Sequence, residues 1–169
     1  MLRIGTLVDS SLVARPVGKY RVINCVSRSY AQGHGKPKTL AELSRHRLVH
    51  YANRFGGPAA GFDYVDPRTG EERSVKMNGV LTVNSSAAYA AAAAAGLGLV
   101  QVPEVGVRDR LQSGEFIEVL SDFRPAPLPV TLLYPARRNL PLRVRVFMDW
   151  VSALLLPRML HADERQSSR

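Results

Sequence analysis

This sequence has one cysteine, one tryptophan and few aromatic residues of any kind, 7% in all. A single cysteine permits no internal disulfide and fits a reducing, cytoplasmic setting. Its surroundings, VINCVS, read as a buried strand, so Cys25 is expected to be an inert core thiol. No apolar run approaches the ~20 residues that span a bilayer, so no membrane partner is expected. The first eighteen residues carry Arg3 and Asp9 and lack the long apolar core of a secretory signal.

Catalytic and metal signatures are missing too. The four histidines, His34, His46, His50 and His161, stand apart from one another. There is no HExxH and no paired CxxC, so no metal site or other cofactor is expected. SSLVAR is not a GxSxG nucleophile elbow. GLGLVQ follows a helix rather than a strand, the wrong order for a dinucleotide fingerprint. Asp63 and Asp66 are close in sequence but fall in an expected hairpin. The chain is not expected to be an enzyme.

Charge is the composition's most one-sided feature. The 23 basic against 14 acidic residues give a net charge of +9. A basic nucleic-acid-binding module is one reading. Against it, the arginines come in scattered pairs (Arg45 and Arg47, Arg108 and Arg110, Arg137 and Arg138, Arg143 and Arg145), with no long basic run and no interleaved aromatics. A solvated basic surface fits that scatter better.

The 46% hydrophobic content supports a folded core. LRIG reads as the tail of a strand. Tyr20 to Val26 is β-branched and reads as one long strand. Gln32 to Lys38 reads as a loop. Thr39 with Glu42 three residues on forms a capping-box signature for a short helix. Arg47 to Tyr51 is an expected strand and Asn53 to Pro58 a loop. Phe62–Asp66 and Ser74–Met77 flank a turn over Pro67 to Gly70, which predicts a hairpin. Val80–Val83 is a strand, Ser85–Ala95 a helix and Gly96 its stop. Leu97–Val102 is an apolar strand, Glu104–Gln112 a helix, and Phe116–Leu120 and Val130–Tyr134 further strands. Pro141 opens a last helix through Leu156. Residues 161–169 are polar. The alternation of strands and helices predicts an α/β fold with parallel pairs.

The richest stretch is VNSSAAYAAAAAAGLGLVQVP. Asn84, Ser85 and Ser86 lie where a strand meets a helix N-terminus, with free amides and hydroxyls. Plain N-capping explains them, and so does contact with a small anion; the two are compatible. Thr6, after Gly5, can offer a hydroxyl or lie in a surface loop. Ser27 and Ser29 form a polar wall or a turn. Gly98 and Val100 shape a cleft floor or pack in the core.

Five segments in order, RIGTLVDSSLVARPVG, TLAELSRHRLVHY, VNSSAAYAAAAAAGLGLVQVP, LQSGEFIEVLSDF and PVTLLYPARRNLPLRVRVFMDWV, resemble the effector-binding domain of LysR-type transcriptional regulators. The resemblance covers nearly the whole chain. It implies a periplasmic-binding-protein-like (type 2) fold of two lobes with a small effector between them. Residues 1–24 would be a remnant of lobe I and its crossover, 25–125 lobe II, and 126–169 the return strand and helix of lobe I with a polar tail, so that lobe I is incomplete. It also implies that Asn84, Ser85 and Ser86 form the second lobe's ligand-facing turn and that Gly5 and Thr6 face the cleft; Ser27, Ser29, Gly98 and Val100 complete the expected effector-binding set. Partners would be a small organic acid or other small anion, further copies in a homodimer or tetramer, and DNA only through a winged helix-turn-helix missing here. A solute-binding protein of the same fold is the alternative, which the absent signal peptide disfavours.

Overall fold

The computed structural model describes residues 1–5, 12–52, 61–135 and 141–160. The chain divides into two compact units, one of residues 1–21 with 127–169, the other of residues 22–126.

The first unit is a three-stranded antiparallel sheet, β1 (Leu2–Ile4), β10 (Leu128–Pro135) and β2 (Leu12–Tyr20), with β10 in the middle. Central position explains burial: Val130, Thr131, Leu132 and Leu133 of β10 are all buried. Helix α4 (Leu142–Leu155) starts at Pro141, whose fixed φ suits a helix N-terminus. An ion pair of 2.7 Å between Arg15 and Asp149 ties it to β2. One face of α4 carries the buried Met148 and the half-buried Val144, Val151 and Leu155. The opposite face is apolar as well, yet exposed: Leu142, Val146, Phe147, Trp150 and Leu154 are each more than half accessible. Arg143, Arg145 and Asp149 interrupt this second face, but its large apolar side chains are of the kind ordinarily covered.

The second unit is organised by β3 (Val22–Ser27), all six of whose residues are buried. It pairs antiparallel with β8 (Val100–Pro103) on one side and β9 (Phe116–Glu118) on the other. Strands β4 (Arg47–Tyr51) and β7 (Asn78–Val83) form a parallel pair. β5 (Phe62–Val65) and β6 (Glu72–Val75) form the hairpin. One core cluster joins Ile23 and Cys25 to α2 (Ser86–Ala94) through Tyr89, Ala92 and Ala93, and to Val107 just before α3 (Arg108–Gln112). A second joins Val26 to Tyr30 of α1 (Arg28–His34), Leu43, Phe62 and Val119. Alternate side chains of β3 thus feed two cores. Burial pushes the Cys25 thiol up to about 12, as an inert core cysteine requires.

Several local expectations need correction. Tyr20 to Val26 is not one strand: the run breaks at Arg21, and β2 and β3 belong to different sheets. Residues 28–34 are helical, because Ser27 caps α1 by accepting from Tyr30 N–H at 3.2 Å. Thr39 makes no side-chain cap. Glu42 accepts instead from Lys38 N–H at 2.8 Å, and the helix is a 3₁₀ turn over Leu40–Arg45. Among the described strand pairs only β4–β7 is parallel. The loop expected at Asn53–Pro58 lies outside the described residues.

Two buried polar groups hold the second unit together. Asn24 Nδ2 donates to Leu120 O (3.1 Å) and Phe123 O (2.8 Å), while its Oδ1 accepts from Gln101 Nε2 (2.8 Å). Replacing Asn24 by Ala removes three hydrogen bonds from this network, each worth about 0.5–1.5 kcal/mol. We expect N24A to lose about 2–4 kcal/mol in urea unfolding. The second group is His46. Tyr30 hydroxyl accepts from Arg47 N–H (3.0 Å) and donates to His46 Nδ1 (3.1 Å). All three are satisfied only when Nδ1 is unprotonated. Burial holds the His46 pKa below the ordinary histidine range, Glu42 acts to raise it, and His34 adds to the lowering. The fold therefore favours neutral His46. Its contribution to stability is complete above the unfolded value of about 6.5 and declines as pH falls below it. Denaturation midpoints measured from pH 7.5 to 5 should fall on acidification, and H46Q should flatten that slope.

Candidate functional site

The parallel strands β4 and β7 end side by side at Tyr51 and Val83, and Ala52 N–H extends the pairing to Val83 O at 2.8 Å. In open α/β sheets the carboxyl ends of parallel strands are where ligands settle. Here α2 begins directly after β7. Asn84 and Ser85 make the turn, with Ser85 extended (φ −123°, ψ 133°) as N-cap. The first bond into the helix is Tyr89 N–H to Ser85 O at 2.9 Å. That leaves the amides of Ser86, Ala87 and Ala88 without an intrahelical acceptor.

Ser85 caps with its backbone only; its hydroxyl makes no cap hydrogen bond. Asn84, Ser85 and Ser86 are all exposed. The pole of α2 thus carries three unpaired N–H groups and unengaged hydroxyls at the positive end of a helix dipole. Tyr51 stands beside it. Its hydroxyl donates to Asn84 O at 3.5 Å, and its ring meets Tyr89 edge-on at 5.4 Å. Tyr89 anchors the helix from below, its buried hydroxyl accepting from Gln101 N–H at 2.9 Å. Burial pushes the Tyr89 phenol up to about 12, so the anchor stays neutral.

The alanine run sets how closely this helix lies on the sheet, with Ala92 and Ala93 buried against it. Gly96 ends it at φ +73°. A Cβ on Gly98 would sit 2.7 Å from Arg47 O, so this glycine permits the close approach that links Leu99 to β4.

The expected site residues therefore fall into separate places. Asn84, Ser85 and Ser86 are together at the α2 pole. Ser27 and Ser29 share a 3.0 Å hydrogen bond beside Gly96, at the other end of α2. Nine helical residues put those two ends about 13 Å apart. Gly98 is closed against the Arg47 backbone, and Val100 has no exposed surface. Gly5 belongs to the first unit, its N–H bonded to Pro129 O at 2.9 Å with φ +102°. Thr6 lies outside the described residues. Tyr51 was not singled out from the sequence. The only signal was an aromatic at the end of a strand, too common a feature to mark it. Among the described residues no cluster of three metal-ligating side chains occurs, and no helix is long and apolar enough to cross a membrane.

Comparison with known proteins identifies the family and the fold. The family described as the LysR substrate binding domain matches residues 1–155. An uncharacterised HTH-type transcriptional regulator of Escherichia coli K12, YhjC, is 38% identical over 155 residues, covering 92% of this chain and 51% of the relative. The HTH-type transcriptional activator AaeR of the same organism is 30% identical, covering 88% of this chain and 47% of the relative. This chain thus spans about half the length of these relatives. Among solved structures, the regulatory domain of CrgA from Neisseria meningitidis superposes with a TM-score of 0.75 at 25% identity, over 91% of this chain and 74% of that one. Full-length AphB from Vibrio cholerae gives 0.73 at 29%, over 90% of this chain and 50% of that one. In fold and in sequence, the chain belongs to the LysR substrate-binding-domain family.

Proposed function

We propose that this chain is the effector-sensing part of a LysR-type transcriptional regulator, that it works in the cytoplasm, and that it catalyses no reaction. The effector is a small organic acid or another small anion. The observation that carries this is the α2 pole, where three unpaired amides and the unengaged Ser85 hydroxyl converge beside Tyr51. A carboxylate satisfies those donors and meets the favourable end of the helix dipole. Effector binding would be passed to the DNA-reading part of the intact regulator. The relatives are named as HTH-type regulators, which supports a helix-turn-helix in that role.

The regulator works as a homo-oligomer. Supporting this, the exposed apolar face of α4 resembles a docking surface more than a solvated one, with Phe147 and Trp150 rings 6.0 Å apart at its centre.

Ser85→Asp tests the anion site. Aspartate is a good N-cap, so the variant should fold as well as the parent or better. Its fixed carboxylate takes the place of the ligand's. Against the best binder from a thermal-shift screen of small organic acids, we expect at least a tenfold loss of affinity in S85D, about 1.4 kcal/mol, and little change in S85A. Unchanged affinity in S85D would reduce Ser85 to a helix cap. For assembly, V146E and W150E should shift sedimentation of this chain toward monomer while leaving its circular dichroism intact. A parent chain that already sediments as a monomer at all concentrations would contradict the docking role of α4.

A further inference from the structure

The exposed side chains of α4 are spaced to fit a second copy of the same helix. Leu142, Val146, Trp150 and Leu154 recur at every fourth position, so they line up as one ridge along the helix. Phe147 flanks the ridge, its ring 6.0 Å from that of Trp150. The four positions are symmetric about Met148, with Leu142 and Leu154 at the outer ends and Val146 and Trp150 inside them. Met148 itself is buried, on the other face. We propose that two copies of this chain pack α4 against α4 in antiparallel fashion, about a two-fold axis at the level of Met148. Leu142 of one copy then meets Leu154 of the other, and Val146 meets Trp150. The proposal rests on the homo-oligomer reading above and gives it a face, a direction and a register.

Charge selects the direction. The basic residues of α4, Arg143 and Arg145, both lie in its first turn, are exposed, and form no ion pair among the described residues. Its one acid, Asp149, is engaged by Arg15 at 2.7 Å. The first turn is the positive end of the helix dipole, so both cations sit at the pole that disfavours them. From Trp150 to Leu155 the helix carries no charge. An antiparallel partner brings that uncharged, negative end to the two arginines. Ala153 lies opposite Arg143 in this register and leaves room for its aliphatic stem. The two copies of Arg143 are then about 15 Å apart along the helix, beyond the Debye length of about 8 Å at physiological ionic strength. A parallel pair would instead set arginine beside arginine. Arg158 lies outside the helix, in a turn that returns to β2, where Leu160 N–H reaches Lys19 O at 3.0 Å.

The surface is large enough to drive association. A large aromatic side chain buries about 150–250 Å² when fully covered. Phe147 is 59% exposed and Trp150 60%, so these two alone leave roughly 200–300 Å² uncovered in each copy. Leu142, Val146 and Leu154 extend the same patch along the ridge. Pairing removes both copies of it from water, which is the favourable term that association requires.

Sedimentation of the whole chain should show a dimer, and cross-linking with a short bis-maleimide reads its direction and register. Leu142→Cys mixed with an affinity-tagged Leu154→Cys chain should give the mixed cross-link in high yield. Leu142→Cys alone should give little, because its two copies lie about 18 Å apart along the helix. Cys25 has no exposed surface and does not compete. Arg143→Glu with Arg145→Glu should weaken the dimer at least tenfold, although acids suit a helix N-terminus and the circular dichroism should stay intact. A Leu142–Leu142 cross-link, or an unchanged dimer in the double arginine variant, would overturn the proposal. So would a chain that stays monomeric at all concentrations, including one that binds phosphatidylserine vesicles through this face instead. A dimer without the mixed Leu142–Leu154 cross-link would also overturn it, but would leave the homo-oligomer reading standing. None of these outcomes bears on the α2 pole, which S85D tests separately.

Discussion

Asn24 is the constraint on which residues 22–126 depend. It sits on a strand whose every residue is buried, where an unpaired amide would cost several kilocalories. Its side chain resolves this by joining elements far apart in sequence. It holds the turn after β9 through Leu120 and Phe123, and it orients Gln101 on β8. Gln101 then treats the backbone of Asp63 as a neighbouring strand would, accepting from its N–H at 3.0 Å and donating to its carbonyl at 2.7 Å. One buried amide thereby sets the position of the β5–β6 hairpin and the left-handed turn at Leu120. Fully satisfied polar networks of this kind specify one arrangement where an apolar core would tolerate several.

Helix α2 illustrates how a single element serves two ends differently. Its N-terminus projects amides that the helix cannot satisfy. Its C-terminus is closed by Gly96 and packed against Ser27 and Ser29. The alanines between them contribute little side-chain bulk, so the helix rides close to the sheet while Tyr89 pins it to β8. A helix of larger side chains would stand farther off and carry its pole away from the ends of β4 and β7.

Elements with strong local signals were legible in the sequence. The hairpin around Pro67–Gly70, the stop of α2 at Gly96 and the Pro141 start of α4 rest on residues that constrain their own backbone, and the α2 start at Ser85 on a residue type common at that position. What escaped depended on distant partners. The break at Arg21 separates two sheets that share a β-branched stretch, and periodicity carries no mark of a change of sheet. Helix α1 was hidden because Ser27 and Ser29 looked like a turn and Gly33 and Gly35 like a loop. The Asn24–Gln101–Asp63 network joins residues 38 and 77 positions apart in sequence, which no local pattern announces. At the candidate site, Asn84–Ser86 were legible as a strand-to-helix junction. Tyr51 reaches it only through the parallel pairing of β4 and β7.

The two apolar faces of α4 separate what stabilises this chain from what its surface is for. Substitutions at Met148 or Val151 act on the folded unit itself. Those at Leu142, Val146 or Trp150 touch little within the chain, so polar replacements there should register as harmless, or as improved solubility, in any screen that reads only the folding of the isolated chain. A map of mutational tolerance drawn that way would mark as dispensable the side chains whose exposure is the most anomalous in the structure.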